Sequence, residues 1–304
     1  MASQRDVKDR ISSVKNIQKI TRAMEMVAAA RLRRAEQRIA ALRPYADALR
    51  RMTRQAARDA GAEASRLPLL SEHDSTDNVG LLLVTGDRGL AGGFNSQIIR
   101  AGVRISDEYR DDGLKTTWYA TGRRGVSSLS FRGHEPSGAY TGFADKPAYA
   151  DARSIADDLI TGYVDGQLDR VEIVFNAYIS PLTQEVTRET LLPLSRATIA
   201  AEGPQDGESG EEAEQHGPRA LVDYEPDPEE ILKRLVPDYV EISIYRALVE
   251  STAGFFGAQM TAMRSASENA GEIITDLTLQ MNRARQAEIT QEIMEVVAGA
   301  EGVS

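Results

Sequence analysis

A glycine-rich loop is the stretch of this sequence whose residue types and spacing come nearest to a ligand site. It follows an apolar run of strand length, residues 79–85, and precedes a helical pattern. Backbone amides at such a strand-to-helix turn can hold a phosphate. The loop lacks the Gly-Lys-Ser/Thr ending of a P-loop and the glycine spacing of a dinucleotide fingerprint. The alternative is a tight turn with close strand-helix packing. The residues assigned to this turn are Gly86, Asp87, Arg88, Gly89, Gly92, Gly93 and Asn95.

Two local interactions are predicted within this loop. Asp87 and Arg88 are expected to form an ion pair that fixes the turn. Asn95 is expected to cap the helix that follows, because its side chain can accept a hydrogen bond from a free amide of the first turn.

Other residue types that carry chemistry are scarce. The chain has no cysteine, which excludes disulfides, thiolate metal ligands and cysteine nucleophiles. Its three histidines, His73, His134 and His216, are widely separated in polar segments, an arrangement that does not suit a metal cluster. No serine nucleophile elbow and no carboxylate pair with metal-ligand spacing occurs. We therefore expect no catalytic residue, no cofactor and no metal site.

Alternating strand and helix patterns in the middle of the chain predict the domain that positions the loop. Strands are predicted at residues 79–85, 116–121 and 171–178, with helices after Asn95, around 126–131 and over 148–168. This order predicts a parallel α/β domain with right-handed crossovers. A last strand over 185–192 is predicted to pair antiparallel at an edge.

Long helical patterns occupy both ends of the chain. Residues 239–300 contain no proline, and at about 1.5 Å per residue such a helix would be roughly 90 Å long, too long for one compact domain to cover. Its apolar stripe includes Met263, Ala270, Ile273 and Leu277. The N-terminal stripe has a mean step of roughly 3.5 residues, which is typical of a coiled coil. It comprises Val7, Ile11, Val14, Ile17, Ile20, Met24, Val27, Leu32, Ala35, Ile39, Leu42, Ala46, Leu49 and Met52.

The predicted fold class is therefore α/β plus long α. The N- and C-terminal helices pair as an antiparallel coiled coil, and a Rossmann-like α/β domain is inserted between them. The predicted boundaries are residues 1–66 for the first helix, 67–236 for the inserted domain and 237–304 for the second helix. Pro44 predicts a kink or short break in the first helix. A separate short helix is predicted over 229–235, before Pro237.

Charge is distributed unevenly along the chain. The net charge of −10 combines a basic N-terminal helix with residues 202–228, which are rich in Gly, Pro and acidic side chains and are predicted to form a mobile loop. The basic helix would suit nucleic acid, anionic lipid or an acidic protein partner, and composition leaves all three open. No apolar run is long enough to span a bilayer. We expect a chain that is cytosolic, or at most peripheral to a membrane.

Three segments closely resemble the γ subunit of F-type ATP synthases: residues 16–35, the loop from Gly86 to Asn95, and residues 282–300. The resemblance implies a rotor. In that family the paired terminal helices form a central shaft inside a hexamer of α and β subunits. The α/β domain, which we call the foot domain, contacts ε and the ring of c subunits. Proton flow turns the ring and the shaft, which drives ATP synthesis at β.

The resemblance also implies the setting of the chain. One copy is expected per complex, without a catalytic site, a cofactor or a nucleic-acid partner. It is expected at the cytoplasmic face of a bacterial cell membrane, held there through the complex. Ala91 stands where many relatives have Cys, so the thiol switch of chloroplast relatives is excluded.

Functional residues carry over from the resemblance at matching positions. Arg22, Met24 and Met26 are expected to face the acidic lever loop of β. Ordinary seam packing is the alternative for the two methionines. The residues expected to contact β loops near the base of the hexamer are Arg285, Gln286 and Thr290. The apolar tip expected to turn in a bearing comprises Ile289, Ile293, Val296 and Val297.

Two rival functions remain beside the rotor. One is a nucleotide-binding enzyme that uses the loop from Gly86 to Gly93. The other is a coiled-coil scaffold that binds anionic lipid or nucleic acid through its basic first helix.

Overall fold

The computed structural model describes residues 4–61, 67–194 and 227–301. Helices and strands alternate through the middle of the chain, between two long terminal helices. In chain order they are α1 (Gln4–Asp59), β1 (Asn78–Val84), α2 (Phe94–Asp111), β2 (Lys115–Thr121), α3 (Arg123–Phe131), β3 (Gly138–Tyr140), α4 (Tyr149–Val164), β4 (Arg170–Tyr178), β5 (Gln184–Leu192) and α5 (Pro228–Glu301).

The chain divides into two compact units. The first comprises the described residues up to Arg31, Leu90–Gly92 and the described residues from Phe256 onward; the second comprises Leu32–Gly89 and Gly93–Phe255. Both α1 and α5 contribute to each unit. The boundaries at 66/67 and 236/237 follow the change from helix to α/β pattern along the chain and stay predictions.

A five-stranded sheet in the order β3-β2-β1-β4-β5 forms the centre of the second unit. β1 is parallel to both β2 and β4, and β3 is parallel to β2. β5 pairs antiparallel with β4 at the edge, as predicted. Residues 79–84 of β1 are all buried, which is typical of a central parallel strand covered on both faces. The sequence pattern did not predict β3, because three residues are too few to show a period.

One hydrophobic cluster holds this unit together. It joins Leu82 of β1 and Ile173 of β4 to Leu159 of α4, and it also includes Leu49 of α1 and Ile244 of α5. Parts of both long helices therefore pack within the same core as the sheet. The predicted fold class, an α/β domain inserted between two long helices, is confirmed.

The two long helices are more continuous than predicted. α1 runs through Pro44 without a break. Ala40 and Pro44 are both exposed, so water can reach the carbonyl that loses its helical partner. The prediction of a separate helix over 229–235 is wrong, because α5 begins at Pro228 and continues through Pro237.

The predicted acidic loop over 202–228 lies outside the described residues, apart from Asp227 and Pro228, where α5 begins. Within the described ranges, no helix has a stretch both long and apolar enough to cross a membrane.

Candidate functional site

α1 and α5 pair antiparallel within the first unit. Val7 and Ile11 of α1 share an apolar cluster with Leu277 of α5. Further along α1, the Arg31 guanidinium lies 5.5 Å from the centre of the Phe256 ring. Because rising numbers on α1 meet falling numbers on α5, the predicted antiparallel pairing is confirmed for this unit.

The seam of this pair does not follow the predicted apolar residues throughout. The side chains of Ile17, Ile20 and Val27 are 53%, 58% and 53% exposed, so their assignment to the seam is wrong. Ile273 of α5 and Met52 of α1 are likewise 48% and 56% exposed. Seven buried or half-buried positions of α1 instead advance in alternating steps of four and three. They are Val7, Ile11, Val14, Gln18, Thr21, Glu25 and Ala28.

Polar side chains fill the middle of the seam. The hydroxyl oxygens of Thr21 and Ser267 lie 2.7 Å apart. Thr21 Oγ1 also donates to the Gln18 carbonyl at 3.0 Å, and Gln18 Nε2 donates to the Ser267 carbonyl at 3.1 Å. Because these groups bond to one another, they can occupy a seam without a large desolvation penalty. We call Gln18, Thr21 and Ser267 the polar layer.

An ion pair lies one turn beyond the polar layer. Arg264 Nε is 2.9 Å from Glu25 Oε1, with the two side chains 52% and 23% exposed. Solvent screens such a pair, and its contribution to stability is small. It marks the edge of the seam rather than its core.

An apolar stripe faces outward on α1 of the first unit. Ile17, Ile20, Met24 and Val27 succeed one another by three or four residues, and three of them are more than half exposed. We call these four residues the outward stripe. Arg22 is exposed beside it and Met24 is half-buried. Met26 is 64% exposed, so seam packing is wrong as an account of that methionine.

The C-terminal part of α5 also presents its proposed contact residues to solvent. Arg285 and Gln286 are exposed, and Thr290 Oγ1 donates to the Gln286 carbonyl at 2.8 Å. The tip residues Ile289, Ile293 and Val296 are 43%, 57% and 72% exposed. The side chain of Val297 is outside the described part of the chain.

Asn95 closes the glycine-rich loop rather than capping α2. The helix begins at Phe94 with Gly93 before it, so the predicted N-cap is wrong. Asn95 Oδ1 accepts from the Gly86 amide at 2.8 Å, and Asn95 Nδ2 donates to the Arg88 carbonyl at 3.0 Å. The amide side chain substitutes for a backbone partner on both sides of the turn.

Asp87 is the anchor of the same loop. Its carboxylate accepts from the amides of Arg123 at 3.0 Å and of Gly142 and Ala144 at 3.1 Å. The predicted pair between Asp87 and Arg88 is wrong: Asp87 lies 3.9 Å from the Arg123 side chain instead. Arg88 pairs with Asp145 at 3.7 Å. The carboxylate therefore fastens the loop to two neighbouring segments.

Aromatic side chains fill the space beside this loop. Phe94 and Phe255 meet edge to face, with ring centres 5.6 Å apart. A Cβ on Gly86 would lie 3.0 Å from Phe255, so glycine permits this close approach. The remaining cavity is about 10 Å³, room for about one water molecule and not for a phosphate.

The other loop glycines lie in both units. In the second unit, Gly89 lies close to the Arg124 side chain and Gly93 lies close to the Gln97 side chain. Gly92, in the first unit, has a φ of +55°.

Comparison with known proteins identifies the family. The model of the family described as "ATP synthase" matches residues 3–303. An ATP synthase gamma chain from Rubrobacter xylanophilus is 40% identical over 304 residues, which cover all of this chain and 99% of the relative. The gamma chain of Nostoc punctiforme is 39% identical, with both chains covered in full. The chain belongs to the ATP synthase gamma chain family.

Solved structures show the same fold at lower sequence identity. A chain in the OSCP, F1 and c-ring part of the Euglena gracilis mitochondrial ATP synthase matches with a TM-score of 0.67 at 15% identity, covering 99% of this chain and 94% of that one. A chain from the central stalk and c-ring of the Tetrahymena thermophila enzyme matches with a TM-score of 0.58 at 22% identity, covering 82% and 99%.

Family membership decides among the functions that the residues left open. A gamma chain is a non-catalytic subunit of ATP synthase, which displaces both the nucleotide-binding enzyme and the lipid or nucleic-acid scaffold. The polar layer was not predicted from the sequence. Continuing the steps of four and three from Val7, Ile11 and Val14 would have reached Gln18 and Thr21.

Proposed function

We propose that this chain is the rotating shaft of an ATP synthase, coupling proton flow through the c-ring to ATP synthesis and hydrolysis at the β subunits. Family membership over the whole length supports this function. In the structure, this function is supported by a reversal of the usual burial on α1, where a polar side chain is buried and apolar side chains are exposed. Thr21 is buried in the seam, whereas Ile20 and Val27 face outward. An exposed apolar stripe of this kind is typical of a surface that another protein covers.

The proposed partners are the α and β subunits, ε and the c-ring, with one copy of this chain per complex. The solved structures with this fold come from assemblies whose descriptions name F1, a central stalk and a c-ring. We place the α and β hexamer around the helical pair of the first unit, and ε and the c-ring against the foot domain. Association with the cytoplasmic face of a bacterial membrane would then come through the complex.

The coupling contacts to β are proposed at two places on the helical pair. Arg22 and Met26 are exposed and Met24 is half-buried, so the first two can reach an acidic loop of a partner without rearrangement of the seam. Arg285, Gln286 and Thr290 form the second place, on α5. Exposed ion pairs are individually weak, which suits contacts that exchange among three β subunits during a turn.

The tip is proposed to turn in an apolar bearing. Ile289, Ile293 and Val296 succeed one another by four and three residues on α5 and are all exposed. They form a stripe that an apolar sleeve would cover without specific pairing, so rotation would break few directional bonds.

Reconstitution tests the proposal. The full chain is mixed with cognate α and β subunits, the complex is isolated by size, and ATP-driven rotation is followed with a probe on the foot domain. We expect a complex with three α, three β and one copy of this chain, and rotation of the probe. A variant without the last dozen residues measures the contribution of the tip. Failure to form a complex with α and β subunits that are themselves folded would refute the proposal.

A further inference from the structure

The cavity beside the glycine-rich loop lies within the second unit, between the end of the sheet and α5. Its volume is about 10 Å³, which is the space that one water molecule needs. Its lining includes Thr121 of β2 and Leu248, Ser251 and Thr252 of α5. The proposed rotor function assigns no role to this cavity, and none of the proposed coupling or tip residues lines it.

Thr121 brings an unsatisfied hydroxyl to the cavity. The residue is 1% exposed, and Thr121 Oγ1 has no hydrogen-bond partner in the described part of the chain. Successive side chains of a strand point to opposite faces, so Thr121 lies on the same face of β2 as Tyr119. Tyr119 belongs to the same hydrophobic cluster as Leu248, which also lines the cavity. A bound water would recover the free energy that a buried hydroxyl loses without a partner.

Two hydroxyls of α5 have hydrogen-bonding capacity left. Ser251 is 4% exposed, and its Oγ lies 3.5 Å from the Val84 carbonyl oxygen, beyond the usual range of about 2.5–3.0 Å for such a bond. Thr252 Oγ1 lies 2.9 Å from the Ala144 carbonyl oxygen and 2.8 Å from that of Leu248. Because a hydroxyl has one proton and two lone pairs, Thr252 donates to one carbonyl at a time and can still accept a hydrogen bond.

We propose that this cavity binds one water molecule that bridges β2 and α5. The water accepts from the Ser251 hydroxyl and donates to Thr121 Oγ1 and Thr252 Oγ1, which gives it the three hydrogen bonds usual for a buried water. These bonds are directional, so they hold this turn of α5 at one place against the end of the sheet. The site belongs to the isolated chain, whether or not the chain turns in a complex.

A crystal structure of the full chain, at a resolution that shows ordered water, tests the proposal directly. We expect one density peak within about 2.5–3.0 Å of the three hydroxyl oxygens. Thr121→Ser keeps the hydroxyl and should keep the peak. The double variant with Thr121→Val and Ser251→Ala should have no peak there, because a water with a single partner left is not held.

The melting temperature of Thr121→Val provides a second test. Valine has nearly the shape of threonine but no hydroxyl. If the hydroxyl binds a water, its removal should lower the Tm by about 2 °C. If no water binds, the same change removes an unsatisfied buried polar group and should raise the Tm.

Thr117→Val, on the same strand, is the matched control. Thr117 Oγ1 donates to Asn78 Oδ1 at 2.9 Å, so this variant loses a hydrogen bond whether or not a water binds beside Thr121. We therefore expect Thr117→Val to lower the Tm, and its shift gives the size of one lost bond in β2.

The proposal fails if the native cavity has no density peak in a structure that shows the surface waters. It also fails if Thr121→Val raises the Tm while Thr117→Val lowers it, or if the peak persists in the double variant.

Discussion

The hydroxyl groups of Thr21 and Ser267 meet at 2.7 Å across the seam between α1 and α5. Thr21 is only 9% exposed, so this contact replaces apolar packing at a seam position. A hydrogen-bonded polar group in a coiled coil favours the one register in which its partner is opposite. The polar layer therefore fixes how α1 and α5 align in the first unit.

The first prediction concerns this pair. Thr21→Val leaves the Ser267 hydroxyl without its partner and should lower the free energy of unfolding by about 1 kcal/mol. The double variant with Ser267→Ala should lose less than the sum of the single variants, because neither helix then carries an orphaned hydroxyl. The free energies of unfolding for this double-mutant cycle are measured by urea unfolding, followed by circular dichroism. Thr275→Val, at an exposed position of α5, is the control, and strict additivity would contradict direct coupling.

The second prediction separates folding from docking on α1. Ile20 is 58% exposed, so Ile20→Asn should change the stability of the isolated chain by less than about 0.5 kcal/mol. In the reconstituted complex the same change should lower ATP hydrolysis at least about three-fold, since it places an amide in an interface that we propose to be apolar.

Ala28→Asn is the matched control for that experiment. Ala28 is fully buried in the seam, so the substitution should cost about 2 kcal/mol in the isolated chain through overpacking and burial of a polar group. Normal hydrolysis by the Ile20→Asn complex would show that the outward stripe makes no contact of consequence.

The third prediction concerns the turn after β2. Gly122 has a φ of +81°, and a Cβ there would lie 2.2 Å from the Thr85 carbonyl oxygen. Gly122→Ala should destabilise the foot domain by about 3 kcal/mol or more, because backbone must move in addition to the strained φ.

Gly113 allows the two causes to be separated. Its φ is +82°, but a Cβ added there would have open space around it, with no atom of the described residues beyond its chain neighbours within 4 Å. Gly113→Ala should therefore cost only the dihedral strain, about 1–2 kcal/mol. Thermal unfolding of both variants measures the difference. Equal losses would show that the contact with Thr85 is relieved at no cost.

The fourth prediction is a loss of stability at alkaline pH through Tyr109. Burial raises the pKa of Tyr109 to about 12, and a hydrogen bond with Glu172 adds to the shift. In an unfolded chain tyrosine titrates near about 10. The folded state therefore retains a proton that the unfolded state loses, so stability is full below pH 10 and falls as the pH rises toward 12.

Urea unfolding at pH 9 and pH 11 measures this effect. The contribution of Tyr109 to stability should fall by about 1 kcal/mol between the two pH values. Tyr109→Phe should reduce the alkaline loss by that amount. An identical pH dependence for native and Tyr109→Phe chains would contradict the prediction.

Several local arrangements were beyond the reach of the sequence. Asn95 has the residue type and position of an N-cap, yet its side chain bonds to Gly86 and Arg88. Asp87 stands next to Arg88 in sequence but binds amides of Gly142 and Ala144. In both cases the partner comes from another part of the fold, and local propensity contains no information about it.

The sequence by itself determined the family, the two long helices, the order of most strands and the antiparallel edge. These follow from periodicity sustained over many residues and from three motif segments. Only the tertiary structure decided which face of α1 forms the seam. Hydrophobicity assigned Ile17 and Ile20 to it, but the structure buries Thr21 beside Ser267. A polar side chain that is satisfied across an interface can be buried at little cost, and that satisfaction exists only once the two helices have met.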